Sequence, residues 1–112
     1  MPGSVYFWHI QHVSDFARVE GFQWDAGNDR KSANKHGVSQ GEAEQVFFNE
    51  PLLVVPDTRH SLAEPRFHAL GRTDVARSLH VTFTLRDEGR LIRVISARDM
   101  HRKERMRYGQ EA

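Results

Sequence analysis

The chain has 112 residues, 16 Lys and Arg against 15 Asp and Glu, a formal net charge of +1 and no cysteine. That is enough chain for one core and too little for two, and without thiols it excludes disulfides, thiolate zinc centres and a cysteine nucleophile. No apolar run reaches the roughly 18 residues of a membrane span, and the start, MPGSVYFWHIQHV, carries neither a cationic region nor a small-residue cleavage site, so a cytoplasmic protein with no membrane contact is expected.

Taken in chain order, residues 5–20 show mixed periodicity, beginning strand-like and ending in a helical turn. Residues 1–21 are read as an N-terminal extension and residues 22–112 as the domain. Phe22, Gln23 and Trp24 alternate as a short edge strand that closes at Asp25 and Gly27. A helix is predicted from Asn28 to His36, with Gly37 placed for the left-handed residue that ends it. Ser39 and Glu42 have capping-box spacing, which starts a second helix from Gln40 to Asn49. Its core stripe is Ala43, Val46 and Phe47, and Pro51 stops it. Trp8 and Trp24 are assigned to the core, because so small a domain needs its aromatics inside.

The periodicity then changes to two. Strands are predicted at Leu52–Val55, ended by Pro56 and Asp57, then at Arg66–Arg72, Leu79–Arg86 and Leu91–Ala97. Asp87, Glu88 and Gly89 form the turn of the last hairpin. Asp99 is in place to cap a final helix from Met100 to Gly109. Helices followed by a meander of strands argue for an α+β domain whose sheet, of about four to five strands, is mostly antiparallel.

Charge is distributed unevenly. Residues 1–56 hold 4 Lys and Arg against 7 Asp and Glu, a balance of −3, and residues 57–112 hold 12 against 8, a balance of +4. The positive half ends in LIRVISARDMHRKERMRY, Leu91 to Tyr108, a strand running into a basic helix that suits a polyanion. Alternation puts Leu79, Val81, Phe83 and Leu85 on the core face and His80, Thr82, Thr84 and Arg86 on the other. Arg66, His68 and Arg72 share a face with Leu70, so pairing as a meander would gather them beside His80, Thr82 and Arg86 on one wet surface. Converging Arg side chains make a phosphate clamp. Cleaving RNA without a metal further requires a base for the ribose 2′-hydroxyl and an acid for the departing 5′-oxygen. Glu64, His68, His80 and His36 are the titratable groups near these elements, and the sequence leaves the choice among them open. His9 and His12 face opposite sides of a strand and have no carboxylate beside them, so no metal site is read there. No phosphate-binding loop, dinucleotide fingerprint, nucleophile elbow or zinc pattern is present, and no cofactor is implied.

In order along the chain, FQWD (22–25), NKHGVS (34–39), EAEQVFFNEPL (42–52), PDTRHS (56–61), RFHALGR (66–72), and IRVISAR with RKERMRY (92–108) resemble the BrnT family of bacterial toxins. The resemblance implies a RelE-like fold and a ribonuclease of a type II toxin–antitoxin pair that arrests translation and growth. It also implies a cognate BrnA-like antitoxin partner, through which the complex would bind operator DNA indirectly. Carried over by motif, the family's functional positions fall at Glu64, Arg72 and Arg86. Here Pro65 stands between Glu64 and Arg66, where the family has its acidic residue directly before the Arg-Phe pair. The leading expectation is a metal-independent endoribonuclease in which Arg72 and Arg86 hold the scissile phosphate and Glu64 or a nearby His acts as base. Arg98, Arg102, Lys103, Arg105 and Arg107 would extend the track for the RNA substrate. The alternative is a non-catalytic basic module that docks RNA or an antitoxin, and a DNA-binding regulator is disfavoured because no helix-turn-helix pattern occurs.

Overall fold

The computed structural model describes residues 16–59 and 64–111. Five strands form one sheet in the order β1-β5-β4-β3-β2, with β1 at Gly21–Gln23, β2 at Leu53–Asp57, β3 at Arg66–Arg72, β4 at Ser78–Arg86 and β5 at Leu91–Asp99. Strands β2 to β5 are an antiparallel meander, and β1 joins β5 in parallel. Helices α1 (Lys31–His36), α2 (Gln40–Gln45) and α3 (Arg102–Glu111) complete an α+β fold. Among the described residues no helix is long and apolar enough to cross a membrane. Trp8, His9, His12 and the strand expected to begin at residue 5 lie outside the described residues, whereas Phe16 and Val19 pack into the core.

The main core follows from alternation. Leu79, Val81 and Phe83 of β4 are fully buried, beside Phe67 and Ala69 of β3 and Ile92, Val94 and Ala97 of β5. The stripe Ala43, Val46 and Phe47 packs on them as expected, with Phe47 edge-on to Phe83 at 5.1 Å between ring centroids. The close approach depends on Gly71, where a Cβ would stand 2.7 Å from Val46 Cγ1. The capping box is formed: Ser39 Oγ accepts the Glu42 N–H, and the Glu42 carboxylate accepts the Ser39 N–H. Helix α2 tightens to a 3-10 turn at Val46–Phe48 instead of continuing to Asn49.

Three expected boundaries move, each for a local reason. Asn28 does not start a helix; its side chain donates to the carbonyls of Gln23 and Val94. Ser32 Oγ accepts the Ala97 N–H. Because β1 pairs only with Leu91–Arg93, these side chains satisfy part of the β5 edge left over. Strand β2 runs through Pro56 to Asp57, which an outermost strand tolerates because one side of its ladder needs no N–H. Asp99 does not cap the last helix. Its carboxylate is held by Arg77 at 2.7 and 3.1 Å, and Glu104 instead accepts the His101 N–H at 2.8 Å, the returning half of a capping box.

The second sheet face is not uniformly wet. His80, Thr82 and Thr84 are 9%, 8% and 1% exposed: α3 lies over the His80 end of this face, and Thr84 is enclosed between Arg66 and Arg93 with its hydroxyl on the Pro65 carbonyl. Met100 and Tyr108 form a second apolar cluster with Leu53 and Leu70, and the Tyr108 hydroxyl donates to the Pro51 carbonyl at 2.6 Å. The helix thereby crosses from β5 towards β2. Its ten residues span about 15 Å, close to the roughly 14 Å of three strand spacings.

Candidate active site

Register lays out the half of the face that α3 leaves open as a set of rows. Arg66 is opposite Thr84, which is opposite Arg93; one row towards α3, His68 is opposite Thr82 and Thr82 opposite Ser96. One row away from α3, Arg86 ends β4 opposite Leu91. Same-face residues two apart on a strand are separated by about 7 Å, so Arg66 has the Arg86 row on one side and the His68 row on the other.

Glu64 and Arg86 come together. The Arg86 Nε and Nη2 each donate to a Glu64 carboxylate oxygen at 2.9 Å, the planar two-bond arrangement that guanidinium favours. The side chains are 40% and 38% exposed, so the pair is accessible. Pro65 takes part in fixing it: its carbonyl accepts the Thr84 hydroxyl at 2.5 Å, which ties the segment carrying Glu64 to the central strand. Beside them Arg93 donates to both oxygens of Asp25, at 2.7 and 3.0 Å, and to Gln23. Hydrogen bonds from Arg93 and the Gly27 N–H, with the Arg86 charge, keep the Asp25 carboxyl below its usual range.

His68 is held at both ring nitrogens. Nε2 lies 3.0 Å from Asp57 Oδ2, and Nδ1 lies 3.0 Å from the Thr82 hydroxyl. A carboxylate only accepts, so Nε2 carries a proton, and in the neutral ring Nδ1 takes the Thr82 O–H. The imidazole is 28% exposed while Asp57 is buried.

His80 is a different kind of histidine. Burial beneath α3, aided by the Arg98 charge, pushes its pKa down to about 4, and its Nδ1 has no hydrogen-bond partner. Its Nε2 is 3.6 Å from Glu104. Burial works against ionisation of Glu104, but hydrogen bonds from Arg98 and from the His101 N–H outweigh it and leave the pKa at about 2. A covered imidazole this weakly basic is a poor proton acceptor. His36 belongs to α1, and its charge is felt by Asp99 at the covered end of the sheet, away from Glu64.

Arg72 and Arg86 do not converge. Arg72 pairs with Ser78 at one end of the ladder and Arg86 stands at the other end of β4, roughly 26 Å away at strand rise. No single phosphate bridges that distance. Arg72 instead donates to the Glu50 carbonyl at 3.2 Å. Among the basic residues near the C-terminus, Arg98 is in a two-bond pair with Glu104 at 2.8 and 2.9 Å. Arg105 donates to the Met100 carbonyl and its charge reaches Asp99, so its flank of α3 faces the covered end. With Glu104 and Tyr108 turned to the sheet, about 100° per residue places Arg107 and Lys103 on the opposite flank, beside the open half, and Arg102 on the side of Arg105. Asp25, Asp57 and Arg93 are candidate site residues that sequence reasoning missed. The Pro56-Asp57 pair reads as a strand terminator, and only the register of β2 on β3 brings Asp57 next to His68. Among the described residues no cluster of three His, Asp or Glu could hold a metal.

A five-stranded, mostly antiparallel sheet with one face sealed by a core and the other half-covered, its open part set with arginines and carboxylates, defines a small α+β protein. Residues 24–104 match the model of the family described as ribonuclease toxin, BrnT, of type II toxin–antitoxin systems. The chain belongs to that family and is a ribonuclease toxin by membership, with RNA as its target and an antitoxin as its partner. A search of curated proteins finds no match.

Proposed function

We propose that the open half of the sheet face is an endoribonuclease centre that works without a metal, using the ribose 2′-hydroxyl as nucleophile. Glu64 takes the 2′-hydroxyl proton, the 2′-oxygen bonds to phosphorus, and the bond from phosphorus to the 5′-oxygen breaks. His68, protonated, gives its Nδ1 proton to the departing 5′-oxygen, which takes the place of the Thr82 hydroxyl, while Asp57 orients the ring through Nε2. The products are a 2′,3′-cyclic phosphate and a free 5′-hydroxyl. Arg86 serves the charge that develops on phosphorus. As Glu64 gains the proton it loses its charge, and the Arg86 fork is released from it to the phosphate. The observation that carries this reading is the accessible two-bond pair of Glu64 and Arg86 on the same face as His68.

Arg72 lies too far along the face to touch the reacting phosphate and extends the RNA track instead, together with Lys103 and Arg107 on the near flank of α3. Residues 22–112 form the toxin domain, with residues 1–21 an extension that joins its core through Phe16 and Val19. The protein acts in the cytoplasm, where a BrnA-like antitoxin covers the arginine-bearing face and brings operator DNA to the complex. The test is an RNA carrying a single 2′-deoxyribose at the cleavage position. Cleavage there stops if the 2′-hydroxyl is the nucleophile, and continued cleavage at that bond rules the mechanism out.

A further inference from the structure

We infer that Arg66 is the second cation on the reacting phosphate, in the place that family resemblance assigns to Arg72. This rests on the open half being the ribonuclease centre. Arg72 is excluded from that position by register, as it pairs with Ser78 at the far end of β3 and β4. Arg66 is in the right place on three counts.

First, it is on the same face as Arg86 and diagonal to it, because Arg66 pairs with Thr84 and Arg86 is two residues further along β4. Such diagonal neighbours are about 7–8 Å apart, within reach of two long side chains converging on one group. Second, its row lies between the row of Glu64 and Arg86 and the row of His68. In-line displacement puts the attacking and leaving oxygens on opposite sides of phosphorus, so the base and the acid belong on opposite sides of the phosphate and its ligand belongs between them. Of the two cations in that middle row, Arg66 stands on the strand that carries His68, whereas Arg93 stands on β5, two strands away. Third, Arg66 is half-buried in a central strand, so its backbone is fixed by ladders on both sides and its charge is preorganised. A guanidinium offers a fork for two non-bridging oxygens, which a flexible ammonium does not.

The test is single-turnover and steady-state cleavage of a short defined RNA by Arg66→Ala, Arg66→Lys, Arg72→Ala and Arg86→Ala, with circular dichroism on each. Arg66→Ala should lower kcat by about 100- to 1,000-fold with little change in KM, and Arg66→Lys should recover only part of that. Arg72→Ala should act on KM. A merely structural role for Arg66 would not change a stereospecific thio effect. Sulfur in one non-bridging position should slow the wild-type enzyme, because the guanidinium holds sulfur less well than oxygen, and should have a much weaker effect on Arg66→Lys. If Arg66→Ala does not fold, Arg66→Lys with the thio substrates decides. A folded Arg66 variant with wild-type kcat and an unchanged thio effect overturns the assignment, and does so without touching the ribonuclease reading if Arg86→Ala is inactive in the same assay. Wild-type rates in both Arg66→Ala and Arg86→Ala would instead remove the site itself.

Discussion

At the scale of single residues the proposed site is a set of paired charges, and each pair has a separable role in the proposed mechanism. Glu64 is tied to Arg86 by two hydrogen bonds, so under that mechanism replacing either partner removes a base or a charge at developing negative phosphorus. Arg86→Ala should cost about 100- to 1,000-fold in kcat, and Glu64→Gln, which keeps the shape and loses the basicity, should fall in a similar range; initial rates on purified RNA check both. His68 is tested by chemistry specific to an acid. His68→Gln should be severely slowed on ordinary RNA but close to wild-type on a substrate whose 5′-bridging oxygen is sulfur, since a thiolate leaves without a proton. Persistent slowness on that substrate would contradict the assignment. How much was legible in the sequence also differs from residue to residue. Alternation places Arg66, His68, Arg72 and Arg86 on one face, and the structure agrees. It says nothing about position along the ladder, so Arg72 and Arg86 read as neighbours although strand length separates them. Asp57 was invisible for the same reason, since its partnership with His68 exists only through cross-strand register.

At the scale of elements, α3 decides which part of the sheet face is open. It is fastened at one end by Glu104, which holds Arg98 and the His101 N–H, and at the other by Tyr108 on the Pro51 carbonyl. Tyr108→Phe should therefore destabilise the fold by about 0.5–1.5 kcal/mol in urea titration. The pH dependence follows from the buried groups. The unfolded imidazole gains a proton near pH 6.5 while folded His80 resists until about pH 4, so the unfolded state binds more protons in that window and stability falls as pH drops through it. The loss amounts to at most about 3 kcal/mol. Glu104 has the depressed pKa usual for a paired carboxylate, and its contribution, present above pH 4.5, is lost as pH falls towards 2. His80→Leu should flatten the stability profile between pH 6.5 and 4 and leave the more acidic limb in place; an unchanged profile would mean that another group titrates there. Strand positions and the capping box at Ser39 were legible because they depend on local pattern. The covering of His80 was not, because it depends on where α3 comes to lie, and neither was the burial of Thr84, which depends on the Pro65 carbonyl reaching its hydroxyl.

At the scale of the whole molecule, a net charge of +1 conceals a face that concentrates arginines next to a basic helix. Lys103 and Arg107 flank the open half, so Lys103→Ala with Arg107→Ala should weaken RNA binding and make its salt dependence shallower by roughly 0.7 for each phosphate no longer neutralised. Arg102→Ala with Arg105→Ala, on the opposite flank, should change the slope less, and equal effects from both pairs would mean that RNA does not distinguish the two flanks. The central claim is that this face cuts RNA through the 2′-hydroxyl without a metal. The measurement closest to it is the end-group chemistry of the products when purified protein cleaves a defined RNA in EDTA. The account predicts undiminished cleavage that leaves 2′,3′-cyclic phosphate and 5′-hydroxyl ends, and cleavage abolished by EDTA, or fragments bearing 5′-phosphates, would contradict it.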